Sequence, residues 1–342
     1  MYNKVYLSIV IPTFNRSKSL INTLESLKPL FGVNGIEVIV IDNSSSDNTW
    51  NWLIENHKKL EISIFQNPFN FGIEGNIIQA LVNSKGEYIW LLSDHMVIEV
   101  QEVFTLLDKL KLGMFFDFGY ARINQYSSVL SSTYTPIRLN ELSQYTIGKY
   151  IFYMGNISAF VINRNYLNRC GRTIFRFAGT SYPQLGAFVH VEKETILVEF
   201  PVISSFSWSG IKKRRVSYDT FRSRFIGFVN AVNEIRRLND RLLNINSALK
   251  TRILIRALAL DSISNLCFNT NNPIRFREFV FCLNHYPGKI KFFLLLCACL
   301  AMLPLRFRMI VSRYIFSRLF PKQYNAVMAE NISLFTTENI NE

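Results

Sequence analysis

The N-terminal part of the chain predicts an α/β fold with a mostly parallel sheet and helices on both faces. Two observations carry that expectation. Apolar runs of strand length alternate with amphipathic stretches of about ten residues, and polar clusters recur where the apolar runs stop. Strands that are apolar along their length need cover on both faces, which βαβ units provide.

YLSIVIPT reads as a strand and SLINTLESLKPL as a helix; IEVIVID is a second strand and TWNWLIENHKKL a second helix. ISIFQN, GNIIQALVNSK and EYIWLLSD continue the alternation as strand, helix and strand. In such sheets ligands collect at the carboxyl ends of the strands. Four of those ends carry polar residues: PTFNR (12–16), DNSSSDNT (42–49), NPFNFG (67–72) and SDH (93–95).

From about Val216 the pattern becomes helical. Phe221, Phe225, Phe228, Val229, Val232, Ile235 and Leu238 recur at steps of three and four, and Pro273, Pro287 and Gly288 cut the rest of the chain into shorter elements. This divides the chain into a domain over 1–210 and a basic helical region over 211–342. Charge divides the same way. Residues 1–204 carry 17 Lys+Arg and 17 Asp+Glu, so the remaining 21 basic and 8 acidic residues supply the whole net charge of +13. A basic surface suits nucleic acid, an anionic membrane or a phosphorylated substrate. No RRM, KH or helix-turn-helix signature accompanies it, so nucleic acid is not expected as a partner.

The uncharged run 292–305 has 14 residues, roughly 21 Å as a helix where a bilayer needs about 20 residues. Just after it, Phe307, Ile310, Val311, Tyr314 and Ile315 share one helical face with Arg306 and Arg313 off it. This predicts a helix lying in the interface of an anionic membrane. Five cysteines without CxxC or Cys/His spacing indicate neither a disulfide framework nor structural zinc. The start of the chain does not resemble a secretion signal, so a peripheral place on the cytoplasmic face of the inner membrane is expected.

LSIVIPTFNRSKSLINTLESL, IEVIVIDNSSSDNT, NFGIEGN and GEYIWLLSDH resemble, in order and spacing, the family 2 glycosyltransferases. More thinly, 150–210 resembles the abequosyltransferase-like enzymes of bacterial O-antigen and capsule synthesis. The resemblance implies the GT-A fold, a nucleotide-sugar donor, inversion at the anomeric carbon and a divalent metal, Mn²⁺ or Mg²⁺. For the donor it implies roles for Pro12, Thr13, Asn15 and Arg16 as the loop facing the diphosphate, and for Asp42, with Asn43 beside it, as acceptor of a base N–H. Gly72 and Gly75 would let the backbone approach the base or ribose, with Asn70 beside them at the donor, and Asp94 would contact the ribose and metal. Here the chain departs from its relatives: Ser93-Asp94-His95-Met96 keeps one carboxylate where they carry two or three, and places His95 at the usual metal position. His95 is then a metal ligand, a phosphate contact, a structural residue, or a mark of weakened metal need.

Asp94 and His95 are the expected catalytic pair. The general base is unassigned, with Asp117, His190, Glu192 and Glu194 the ionisable candidates, because Ser181 and Tyr182 stand where relatives place an acidic pair. Trp208 and the basic run 212–215 are candidate clamps on a diphosphate or carrier phosphate. A lipid-diphosphate-linked glycan is the expected acceptor, since such substrates are anionic and membrane-bound. Direct transfer to polyprenyl phosphate and a degenerate, non-catalytic glycan-binding protein are the alternatives.

Overall fold

The structure, a computed structural model, describes residues 4–123, 133–206, 222–245, 252–268, 274–286 and 288–328. Trp208, Phe221 and 212–215 therefore lie outside the described residues. The chain divides into two compact units, Met1–Ile211 with Asn233–Ile245, and Lys212–Val232 with Asn246–Glu342.

The first unit is built on strands β1 (Leu7–Thr13), β2 (Ile36–Asp42), β3 (Ser63–Gln66), β4 (Tyr88–Leu91), β5 (Met96–Ile98), β6 (Phe118–Ile123), β7 (Ile137–Arg138), β8 (Phe160–Asn163) and β9 (Ile196–Phe206). Its helices are α1 (Ser17–Leu27), α2 (Thr49–Leu60), α3 (Gly72–Asn83), α4 (Val100–Lys111), α5 (Gln144–Met154) and α6 (Arg164–Arg176). The strands form one sheet in the order β3-β2-β1-β4-β8-β6-β9-β5, with β7 added on β9. β3, β2, β1 and β4 are parallel, as the apolar runs of β1, β2 and β4 lead one to expect, and every residue of β1 is buried.

Beyond β4 the sheet is mixed: β8 is antiparallel to β4 and β6, while β6 and β9 run parallel. The strand expected over EYIWLLSD is shorter than its sequence suggests. After Leu92, whose N–H still bonds Val10 O at 2.9 Å, the chain turns through Ser93, Asp94 and His95 and re-enters the sheet as β5, antiparallel to β9. Trp90, Phe118, Phe160, Phe188 and Phe200 fill the core beside it, with the Phe118 and Phe188 rings stacked at 4.9 Å.

The second unit is helical, with helices Arg252–Phe268, Phe276–His285, Lys291–Ala301 and Leu305–Leu319. Arg224 and Asp261 pair within it at 2.6 Å, and Tyr286 Oη donates to Phe225 O. The sequence periodicity holds here: Phe225, Phe228, Val229 and Val232 are all buried, as is Ile235, which falls in the first unit. Among the described residues no helix is long and apolar enough to cross a membrane. All five cysteines are free thiols, and only Cys299 is exposed.

Candidate functional site

Strand register sets the site. Thr13 pairs with Asp42, and Asp42 pairs with Gln66, at the ends of β1, β2 and β3. On the other side of β1, Leu7 pairs with Tyr88 and Val10 with Leu91. Continuing that register sets Thr13 opposite Asp94, and the Thr13 Oγ1 hydroxyl donates to Asp94 Oδ2 at 2.8 Å. Gln66, Asp42, Thr13 and Asp94 thus form one row along the carboxyl edge, with both acids flanking a single threonine.

Asparagines lock the tips together. Asn43 Oδ1 accepts from Asn67 Nδ2 (2.9 Å) and Phe71 N (3.0 Å), while its Nδ2 donates to Asn70 Oδ1 (2.7 Å) and Gly72 O (3.2 Å). Asn67 Nδ2 also donates to Asn76 Oδ1, and Asn76 Nδ2 to Thr13 O and Ile41 O. Asn43, expected to touch the donor, therefore has its whole carboxamide bonded within the scaffold, and exposed Asn70 has its Oδ1 engaged by Asn43 Nδ2 and Gly72 N. Gly72 sits at φ +74° with open space where a Cβ would be, so its glycine serves the turn into α3. Asn43→Ala orphans several of these groups at once and is expected to cost about 2–4 kcal/mol, read as a lower urea midpoint.

Asp42 is fully buried. Its Oδ2 accepts from Ser45 N and Gln66 Nε2, both at 3.0 Å, while Oδ1 is buried without a hydrogen-bond partner. A buried carboxylate oxygen lacking a donor is costly, and an arriving N–H relieves it.

The 12–16 loop folds against the 45–49 turn. Asn15, at φ 52°, receives Ser46 N on Oδ1 at 2.7 Å and gives its own N–H to Ser45 Oγ. Asp47 accepts from Thr49 N and from Ser17 N, so it occupies the first N–H of both α2 and α1. Burial works against its charged form, yet the bonds from Thr49 and Ser17 outweigh that and hold its carboxyl below the ordinary range. The α1 N-terminus, expected to face a diphosphate, is thus partly taken. Phe14, in the same loop, is 39% exposed and offers a ring face of the kind that stacks on a base.

Asp94 is held on every side. Besides Thr13 on Oδ2, its Oδ1 accepts from Arg16 Nη1 at 3.0 Å, and its backbone carbonyl accepts from Ser19 Oγ. His95 Nδ1 lies 3.3 Å from Asp94 Oδ1 and 3.4 Å from Arg16 Nη1. The turn is fastened below by Ser93 N to Ser158 Oγ and Met96 N to Thr23 Oγ1. These residues do not fit a divalent ion as they stand: both oxygens of the lone carboxylate already receive donors, one of them a guanidinium. Among the described residues no group of three His, Cys, Asp or Glu side chains could hold a metal.

Two of the base candidates are set by register at the opposite edge of the sheet. Tyr88 pairs with Asn163, Ile162 with Phe118, and Phe118 with Leu197, so Asp117 and the start of β9 align with Leu7, about 20 Å from Thr13 along the strand. Burial raises the Asp117 carboxyl above its ordinary range, against the bonds from Ile196 N and Arg169, but it ties β6 to β9 there. Glu194, which leads into β9, pairs with Arg138; His190 bonds Thr173 on α6. The loop holding Ser181 belongs to the site edge, because Glu74, in the first turn of α3, accepts from both Gly179 N and Ser181 N. Sequence reasoning missed Glu74, Asn67 and Asn76; the only signal was the density of asparagine at the strand exits.

Residues 8–164 match the family model described as Glycosyl transferase family 2. These residues form a family 2 glycosyltransferase domain. A segment of 155 residues is 30% identical to GalNAc(5)-diNAcBac-PP-undecaprenol beta-1,3-glucosyltransferase of Campylobacter jejuni, covering 44% of this chain and 48% of that protein. The chain thus spans about half the length of the curated relative it matches. Among solved structures, S. aureus TarS 1–349 in complex with UDP-GlcNAc is 14% identical, with 90% of this chain and 89% of that one covered and a TM-score of 0.51. The mannosyltransferase PcManGT from Pyrobaculum calidifontis, in complex with GDP-Man and Mn²⁺, is 13% identical with 93% and 88% covered and a TM-score of 0.50. At these identities the likeness shows the fold, which is GT-A.

Proposed function

We propose that the chain is an inverting glycosyltransferase that moves a sugar from a nucleoside-diphosphate donor to a lipid-linked glycan in the assembly of a bacterial surface polysaccharide, O-antigen or capsule. The observation that carries the reading is the buried, unpartnered Asp42 Oδ1 in one row with Asp94. An acceptor-only group at the edge of β2 suits a base N–H, and the 12–16 loop lies one strand over and the Asp94 turn two strands over for the diphosphate. In the reaction the acceptor oxygen bonds to the anomeric carbon as the carbon–oxygen bond to the diphosphate breaks. The electron pair stays on the leaving oxygen, and the acceptor proton passes to a base. The name of the C. jejuni relative, an enzyme of a diphospho-undecaprenol-linked glycan, supports the acceptor class.

Asp42→Asn tests the donor site. Because Oδ2 takes two donors, the carboxamide oxygen must occupy that position, which turns an amide N–H₂ toward the Oδ1 place. A base N–H then meets a donor. Thermal stabilisation by a panel of UDP- and GDP-sugars is expected for the wild type, with affinity about 10- to 100-fold weaker in the variant. A variant stabilised as well as wild type would remove Asp42 from the site. Product analysis with polyprenyl phosphate offered beside lipid-linked oligosaccharide decides between the two acceptor readings.

The second unit supports a peripheral membrane role on the cytoplasmic face. Helix Leu305–Leu319 is turned inside out: Arg308, Ser312 and Phe316 are buried, whereas Phe307, Ile310 and Tyr314 are 66%, 69% and 65% exposed. Phe292 and Met302 are exposed as well. A helix normally buries its apolar stripe, so this face fits an apolar covering, and the basic charge of this part of the chain fits anionic lipid.

A further inference from the structure

We propose that Arg16 takes the place of the divalent cation, so that a guanidinium held by Asp94 meets the charge developing on the leaving diphosphate. This rests on the donor reading above. Three features of the site converge on it.

The first is occupancy. Arg16 Nη1 lies 3.0 Å from Asp94 Oδ1 and 3.4 Å from His95 Nδ1, which is the position a metal bound by this carboxylate and this imidazole would claim. Thr13 Oγ1 holds the other carboxylate oxygen at 2.8 Å. An incoming dication would have to displace a cation already in hydrogen-bond contact with its ligand. The second is charge. Two carboxylates with a divalent ion sum to zero, and so do one carboxylate and one guanidinium. The loss of an acid at His95 is therefore matched by Arg16 without a metal.

The third is the posture of the side chain. The Arg16 backbone is pinned, its N–H bonding Thr49 Oγ1 and its carbonyl receiving Leu20 N. The side chain is 41% exposed although Asp94 is 6% exposed. A guanidinium has five N–H donors, and only Nη1 appears in contacts with Asp94 and His95. Nε and Nη2 remain to fork onto phosphate oxygens, a geometry that guanidinium fits better than ammonium. When the sugar's carbon–oxygen bond breaks, the pair of electrons arrives on a diphosphate oxygen beside a cation that needs no reorganisation.

The test is calorimetry on the full chain with UDP and GDP, and with uridine and guanosine as controls, in EDTA and again in Mn²⁺. Wild type is expected to bind one diphosphate with affinities within about threefold in the two conditions. Arg16→Ala should weaken that diphosphate about 10- to 100-fold and leave the matching nucleoside unchanged, with Arg16→Lys between them. Diphosphate binding that appears only with Mn²⁺, or an Arg16→Ala variant that binds as wild type, overturns the inference and leaves the donor reading standing. No binding of either diphosphate in either buffer overturns both.

Discussion

Asp94→Asn is expected to lower sugar transfer about 10²- to 10³-fold, the range seen when one preorganised donor is removed from a developing oxyanion. The substitution keeps size and leaves Thr13 Oγ1 an oxygen to donate to, so the row of strand tips persists. It removes the charge that holds Arg16 at 3.0 Å. The guanidinium then loses its tether, and the ordering it supplied in advance must be found during the reaction. Steady-state donor turnover checks the magnitude, and uridine or guanosine affinity checks the cause. Nucleoside binding should stay at the wild-type value, because Asp42, Ser45 and Gln66 are untouched. Turnover within threefold of wild type would take Asp94 out of the chemistry.

The parallel half of the sheet was legible because β1, β4 and most of β2 are buried, the half-exposed edge strand β3 completes the alternation, and each strand is bounded by polar residues at its exit, so apolar run and strand coincide. TWNWLIENHKKL and helix Thr49–Leu60 agree residue for residue. The mixed half was not legible. β7 is two residues long, and β5 is three residues set by pairing with β9 more than a hundred positions away; neither carries a local period. The same distinction holds in the site. Asp42 and Asp94 stand out as acids closing apolar runs, which is a local signal. The bond from Arg16 to Asp94 spans 78 positions and that from Gly179 to Glu74 spans 105, so what those side chains do is decided by the sheet that brings them together. For Asn43 and Asn70 the resemblance implies donor contacts, whereas the bonds that join Asn43 to Asn67 and Asn70, and Asn67 to Asn76, become visible only in three dimensions. His95 is intermediate: its place at the strand exit was plain, whereas its neighbour Arg16 was plain only in three dimensions.

Membrane retention should be lost in the triple substitution Phe307→Ser, Ile310→Ser, Tyr314→Ser. All three side chains are exposed, so replacing them costs the fold little, within about 0.5 kcal/mol each for surface positions of this kind. On a bilayer the same side chains enter the interface. Partial burial of each contributes at least about 1 kcal/mol, so together they should change partitioning by roughly 100-fold. The measurement is sedimentation with vesicles of phosphatidylcholine alone and of phosphatidylcholine with anionic phosphatidylglycerol. Wild type should favour the anionic vesicles and lose that preference as salt shortens the Debye length. The triple variant should keep the charge preference at its weaker affinity, because its basic residues are unchanged. Those two dependences separate what the apolar stripe contributes from what the charge contributes. A wild-type chain that ignores anionic vesicles, or a triple variant that binds them equally well, would leave the outward face of helix Leu305–Leu319 to a protein partner instead.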